Sequence, residues 1–153
     1  MTARAIAGRL RTQPQSSQEV LQYVNEMNAW YSTLNRPPLT PPSWVFSPVW
    51  TVLYITLASS VLVYYRAPSQ SHVGWTSAVL IVHLITNLCW TYLFFGLRSP
   101  ARALIDIVAL DSSLVVLMCW FWKSSVLAGA LLCPYLAWVL SATYLNYGFY
   151  NLN

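Results

Sequence analysis

The sequence predicts an all-α membrane protein: four transmembrane helices preceded by a polar, amphipathic N-terminal arm. Three observations carry this. Only 8% of the 153 residues are charged and 57% are hydrophobic. Soluble domains carry about 25% charged residues, so this chain cannot cover a water-facing surface. Four apolar runs follow one another at about 44–65, 76–95, 103–122 and 126–147, separated by short loops that hold Arg66, Arg98, Arg102 and Lys123. A run of about 20–22 residues makes ~30 Å of helix, enough for the hydrocarbon core of a bilayer. Finally, Trp30, Tyr31, Trp44, Trp50 and Tyr54 cluster at the foot of the first run, as aromatic residues do at a membrane–water interface.

The arm covers residues 1–29. Residues 1–18 carry Arg4, Arg9 and Arg11 and no acid, the composition of a mitochondrial transit peptide or of a short basic surface helix. In residues 17–31, Val20, Tyr23, Val24, Met27 and Tyr31 recur at helical spacing. That predicts an amphipathic helix lying on the membrane or on a partner. Nothing before Trp44 is long or apolar enough to span. Residues 30–43 form a loop stiffened by Pro37, Pro38, Pro41 and Pro42, each of which fixes φ and extends the residue before it.

Residues 44–153 are the bundle, and Ser43 stands where its first N-cap is expected. Arg66, Pro68 and Ser69 end the first span, Gly96 the second and Lys123 the third. Pro134 lies inside the fourth and predicts a kink. Short loops make neighbouring spans antiparallel. An even number of spans puts both termini on one side, together with Arg4, Arg9, Arg11, Arg36, Arg98 and Arg102. Only Arg66 and Lys123 lie opposite, so the positive-inside bias places the termini on the cytosolic or matrix side. This asymmetry explains the net charge of +4 better than a nucleic-acid partner does. Cys89, Cys119 and Cys133 are isolated in apolar runs and read as buried, reduced thiols. With no nucleophile–base or metal-ligand constellation in the sequence, neither an enzyme nor a metal site is expected.

Several stretches together resemble one family. They are Trp30-Tyr31 with Leu34, Arg36-Pro37, Pro41-Pro42, Trp44-Val45-Phe46, Pro48-Val49-Trp50 and Leu53-Tyr54. Further along come Asn87, Trp90 and Phe94-Phe95-Gly96, then Ala103-Leu104-Ile105-Asp106, then the run Pro134 to Tyr147. In order and spacing they resemble the TspO/MBR family of translocator proteins. The resemblance implies a helical bundle whose pocket opens toward the proline-rich loop and takes porphyrins, sterols or synthetic aromatic ligands. It assigns ligand contact to Trp50, Asn87, Trp90, Trp138, Ala142 and Leu145. No cofactor is expected beyond such a ligand and bound lipid.

The departures point elsewhere. The family's first helix, which lies between its second and third, has no counterpart among the apolar runs. Leu39 replaces the loop tryptophan, His83 a glutamine, and Arg102 an aromatic residue. Two function classes follow: a carrier or sensor of a tetrapyrrole or sterol, or an accessory subunit of a larger mitochondrial membrane complex such as a respiratory assembly. In the second class, lipid or another chain's helix fills the groove left by the missing helix.

Three ionisable residues lie inside the runs: His83, Asp106 and Asp111. A carboxylate near the bilayer centre costs ~2.5–3.5 kcal/mol on insertion scales, so Asp111 needs a partner. His83 is nearest in depth. The alternatives are a protonated Asp111 or a bond to another chain, with His83 lining the pocket. Asp106 is placed for an interfacial pair with Arg102, four residues before it.

Overall fold

The computed structural model describes residues 12–70 and 72–153. The transit-peptide and basic-helix readings of residues 1–18 rest on Arg4, Arg9 and Arg11, which lie outside the described residues. The chain forms two compact units that meet between Leu34 and Asn35.

The first unit holds α1, Thr12–Thr33. It runs on through Trp30, because nothing opposes helix until the segment before Pro37. Val20, Leu21, Tyr23 and Val24 are exposed on it.

The second unit contains α2 (Ser43–Arg66), α3 (Val73–Thr91), α4 (Pro100–Ser124), α5 (Val126–Leu131) and α6 (Cys133–Leu152). With the turn Tyr92–Gly96 extending α3 and with α5 and α6 taken together, four segments are long and apolar enough to cross a membrane. In each, only 17–28% of the most apolar window is buried inside the protein, so the rest needs an apolar surrounding, as a bilayer provides. The protein is therefore an integral membrane protein, all-α over its described residues.

α4 is the hub, packing against α2, α3, α5 and α6. Its sequence makes it so: Ala103, Ile107, Leu110, Leu114, Leu117 and Phe121 recur every three or four residues, and all are buried. Tyr64 of α2 stacks on Phe121 with centroids 4.4 Å apart. Ser60 Oγ donates to the Ala128 carbonyl at 2.6 Å, tying α2 to α5. The backbones of α2 and α3 do not approach each other closely. Tyrosines bridge the gap instead: Tyr64 donates to Thr76 Oγ1 at 3.1 Å, Tyr65 pairs with Ser77 at 2.6 Å, and Tyr54 reaches Asn87.

Local details depart from the expectation in three places. Ser43 does not cap α2. Pro42, at φ −55° and ψ 143°, takes the cap position with no side-chain bond, and Ser43 becomes the first helical residue. The fourth span breaks rather than kinks. Its helix stops at Leu132, whose N–H turns to the Gly129 carbonyl at 3.1 Å, and restarts at Cys133 with Pro134 in the first turn, where its missing N–H costs little. The three cysteines are free, as expected, but exposed rather than buried. In a membrane protein an apolar run faces lipid as readily as core.

The proline loop is fastened to the far end of α6. Asn35 N–H donates to Asn153 Oδ1 at 2.8 Å, Asn153 Nδ2 donates to the Asn35 carbonyl at 3.1 Å, and Asn35 Nδ2 donates to the Leu152 carbonyl at 3.2 Å. Pro37 sits against Gly148 so closely that a Cβ there would lie 2.5 Å from the Pro37 Cβ. Beyond this clasp Leu39 adopts φ 65°, a left-handed turn that leaves its side chain 88% exposed.

Candidate ligand cleft and polar string

The clasp holds the loop against α6, and between them lies a cleft of about 440 Å³. Leu39 and Pro41 of the loop, Phe46 of α2, and Trp138, Leu140, Ser141, Ala142, Tyr144 and Leu145 of α6 line it. None of these side chains is charged. Trp138 and Ser141 are shared with a second opening between α2 and α6, beside Pro48, Val52 and Pro134. Phe46 meets the Trp138 ring edge-on at 5.8 Å. The Trp138 indole N–H is buried and has no hydrogen-bond partner. A buried donor left unpaired costs about 1–3 kcal/mol, so this one favours any acceptor that reaches it.

Of the residues assigned to ligand contact, Trp138, Ala142 and Leu145 come together here. The other three sit deeper in the bundle. Trp90 donates its indole N–H to Asn146 Oδ1 at 2.9 Å, and Asn146 in turn donates to the Pro100 carbonyl at 2.7 Å. Trp50 lies against Tyr54 at 5.6 Å and edge-on to Tyr135 at 6.3 Å. Asn87 belongs to a string of hydrogen bonds that crosses the bundle.

That string begins at Tyr54, which is 43% exposed and donates to Asn87 Oδ1 at 2.5 Å. Asn87 Nδ2 donates to Tyr135 Oη at 3.0 Å. Tyr135 Oη and His83 Nε2 are 3.0 Å apart, and His83 Nδ1 and Ser113 Oγ are 2.8 Å apart. Ser113 Oγ donates to the Leu110 carbonyl at 2.8 Å. A hydroxyl has one proton, so Ser113 accepts from His83, which fixes histidine as the Nδ1–H tautomer, and Nε2 accepts from Tyr135. Every donor is matched to an acceptor along α2, α3, α6 and α4.

His83 therefore does not pair with Asp111. Both of its ring nitrogens are engaged, and Asp111 Oδ2 instead accepts from Thr143 Oγ1 of α6 at 2.7 Å. Depth alone allowed the pair, but Ser113 and not Asp111 faces α3. Asp111 Oδ1 and Asp106 Oδ2 are buried without hydrogen-bond partners, so that Asp106 oxygen is not the Arg102 pair that spacing suggests. His83 is fully buried, whereas Asp106 and Asp111 are half-buried. Among the described residues no cluster of His, Cys, Asp and Glu could hold a metal.

Ser113 went unnoticed in the sequence, and Tyr54, Tyr135 and Phe46, though they lie in the family motifs, were not assigned to the site. His83 and Asn87 are four apart on α3 and share one helix face, a signal that a polar partner stood opposite.

The geometry can be set beside known proteins. A sequence profile of the TspO/MBR family matches residues 12–151, which takes in α1 as well as the bundle. The chain is 37% identical over 131 residues to the tryptophan-rich protein TspO of Archaeoglobus fulgidus, covering 83% of this chain and 82% of that one. It is 34% identical to the tryptophan-rich sensory protein of Cereibacter sphaeroides, over 81% and 77% of the two chains. It is 32% identical to the human translocator protein, over 77% and 71%. With the profile spanning almost the whole bundle and relatives 32–37% identical over most of the chain, the chain belongs to the TspO/MBR family.

Proposed function

We propose that this protein binds a hydrophobic ligand, a flat tetrapyrrole or a rigid sterol, in the cleft between the proline loop and α6. The observation that carries the reading is the apolar cleft itself, walled by the aromatic rings of Phe46 and Trp138. Its volume of about 440 Å³ falls in the range of small-molecule sites, about 300–1,000 Å³. An uncharged aromatic wall favours a ligand that gains by burial and stacking. Membership of a family that includes a sensory and a translocator protein supports a binding or transport role.

Porphyrin quenching of tryptophan fluorescence tests it. The wild-type protein should quench saturably at micromolar porphyrin. Trp138→Ala should weaken binding at least ~10-fold, a difference of about 1.4 kcal/mol. Absence of saturable quenching would remove the reading.

A second reading has its own support. The chain would serve as an accessory subunit of a larger mitochondrial membrane complex. Leu39 stands in the loop where the family resemblance expects tryptophan, and Asp111 lacks a full complement of partners. The family profile begins at residue 12, and α1 is not among the helices apolar enough to span. We therefore propose a divergent member whose first transmembrane helix has become a polar arm, with lipid or a partner helix beside α2 and α3. Both termini would face the matrix or cytosol. A native gel in mild detergent separates the readings: comigration with respiratory subunits supports the second, a small porphyrin-loaded species the first.

A further inference from the structure

We infer that the cleft takes a ligand dissolved in the bilayer, which enters and leaves sideways through the opening between α2 and α6. This rests on the cleft being a ligand site and adds the route to it.

The opening has a volume of about 550 Å³ and meets the cleft at a common wall, Trp138 and Ser141. It lies at hydrocarbon depth. Val52 is the tenth residue of α2, about 13 Å of helix from its start. Ala137 is the twelfth of the 27 residues of the fourth span. Both are exposed, so at this depth lipid reaches them.

The sequence makes the gap. Pro134, Ala137 and Ser141 recur at three and four residues and share one face of α6. Opposite them stand Pro48 and Val52 of α2. Short side chains on both helices leave the space between them unfilled. α2 is held instead by α5, through Ser60 and the Ala128 carbonyl, before the break at Leu132 where α6 begins.

The two ways out of the cleft differ in what must break. On the loop side, three hydrogen bonds fasten Asn35 to Asn153 and Leu152, and Pro37 is seated against Gly148. On the lipid side, Pro48 and Val52 have no polar side-chain atom. The Ser141 hydroxyl is spent on the Ala137 carbonyl at 2.9 Å, within its own helix. No side-chain hydrogen bond of these residues has to open there. The Trp138 ring, bordering both spaces and only half-buried, is the side chain that a passing ligand must displace. A hydrophobic ligand is already dissolved in hydrocarbon, so this path also keeps it out of water.

The test uses the full chain in phosphatidylcholine vesicles that also hold a porphyrin dimethyl ester, a neutral probe that stays in the bilayer. Tryptophan quenching against ester content gives the affinity. Relaxation of the quenching after a temperature jump gives the exchange rate. Val52 and Ala137 line the opening and not the cleft. V52F and A137F narrow it with a side chain that suits lipid. Each should slow relaxation at least tenfold and keep the affinity within twofold of wild type, because a narrowed path slows entry and exit alike and Kd is the ratio of the two rates. V108F, at an exposed position of α4, should match wild type in both. Relaxation of V52F and A137F as fast as wild type overturns the inference, since the cleft would then fill from the loop side. Weaker binding of A137F through faster release alone also overturns it, because the opening would then be part of the site and not a way to it. A wild-type protein without saturable quenching removes the cleft itself, and that failure shows before any substitution is made.

Discussion

Replacing Tyr135 with alanine should destabilise the bundle by about 3–5 kcal/mol, the usual range for a large buried aromatic. Tyr135 is fully buried on α6, touches Trp50 and His83 edge-on, and bonds both Asn87 and His83. Removing it opens a cavity and strands two polar groups together. Tyr135→Phe separates the contributions. It keeps the ring but leaves Asn87 Nδ2 without its acceptor and His83 Nε2 without its donor, at an expected cost of about 1–3 kcal/mol. Unfolding in mixed micelles with rising dodecyl sulfate, followed by circular dichroism, measures both. A phenylalanine variant as stable as wild type would mean that the string contributes no net stability.

Substitution of Gly148 should have the second largest effect, felt in the loop. Even an alanine Cβ would lie 2.5 Å from Pro37 Cβ and 2.9 Å from Pro37 Cγ. Proline is stiff and cannot turn aside, so the loop must lift. Overpacking of this kind costs about 1–3 kcal/mol. Gly148→Ala should therefore loosen the clasp and speed exchange of the Asn35 amide, which donates to Asn153 in the closed loop. Gly148→Val should do so more strongly. Hydrogen exchange by mass spectrometry reads this directly. An Asn35 amide equally protected in both variants would show that the loop is held elsewhere. The same variants should release porphyrin faster, since Leu39 and Pro41 line the cleft.

Much of this architecture could be read from the chain because hydrocarbon imposes a simple rule: long apolar runs become helices. Pro134 likewise announced a disturbed fourth span, and the structure places the break just before it. Hydropathy could not tell inside from outside. Cys89, Cys119 and Cys133 look like core residues by their neighbours, yet they are exposed. The same blindness affected His83 and Asp111. Counting residues matched their depths, but a residue next to Leu110 is turned about 100° from it. That rotation sends Asp111 to the α6 seam and leaves Ser113 for the histidine. Within the site, Trp138 was visible as an aromatic in a family motif. Tyr135 lies in the same motif but drew no role, because a tyrosine in an apolar run reads as packing until a partner is known. Leu39 marked a departure by its type alone. Its place in the cleft wall depends on the turn at φ 65°, which no periodicity reveals.

The string from Tyr54 to Leu110 also has a grammar. Each member gives a proton in one sense and takes one from behind, so a substitution must respect both ends. The residue at 83 must accept from Tyr135 and donate to Ser113 at once. Glutamine, with a carbonyl and an amide on one planar head, satisfies that demand as a neutral histidine does, whereas glutamate, lysine or methionine each fails at one end. His83→Gln is thus a synonym and His83→Met a break in the sentence. Such rules tie the evolutionary freedom of positions 54, 83, 87, 113 and 135 to one another, although the residues sit on four different helices.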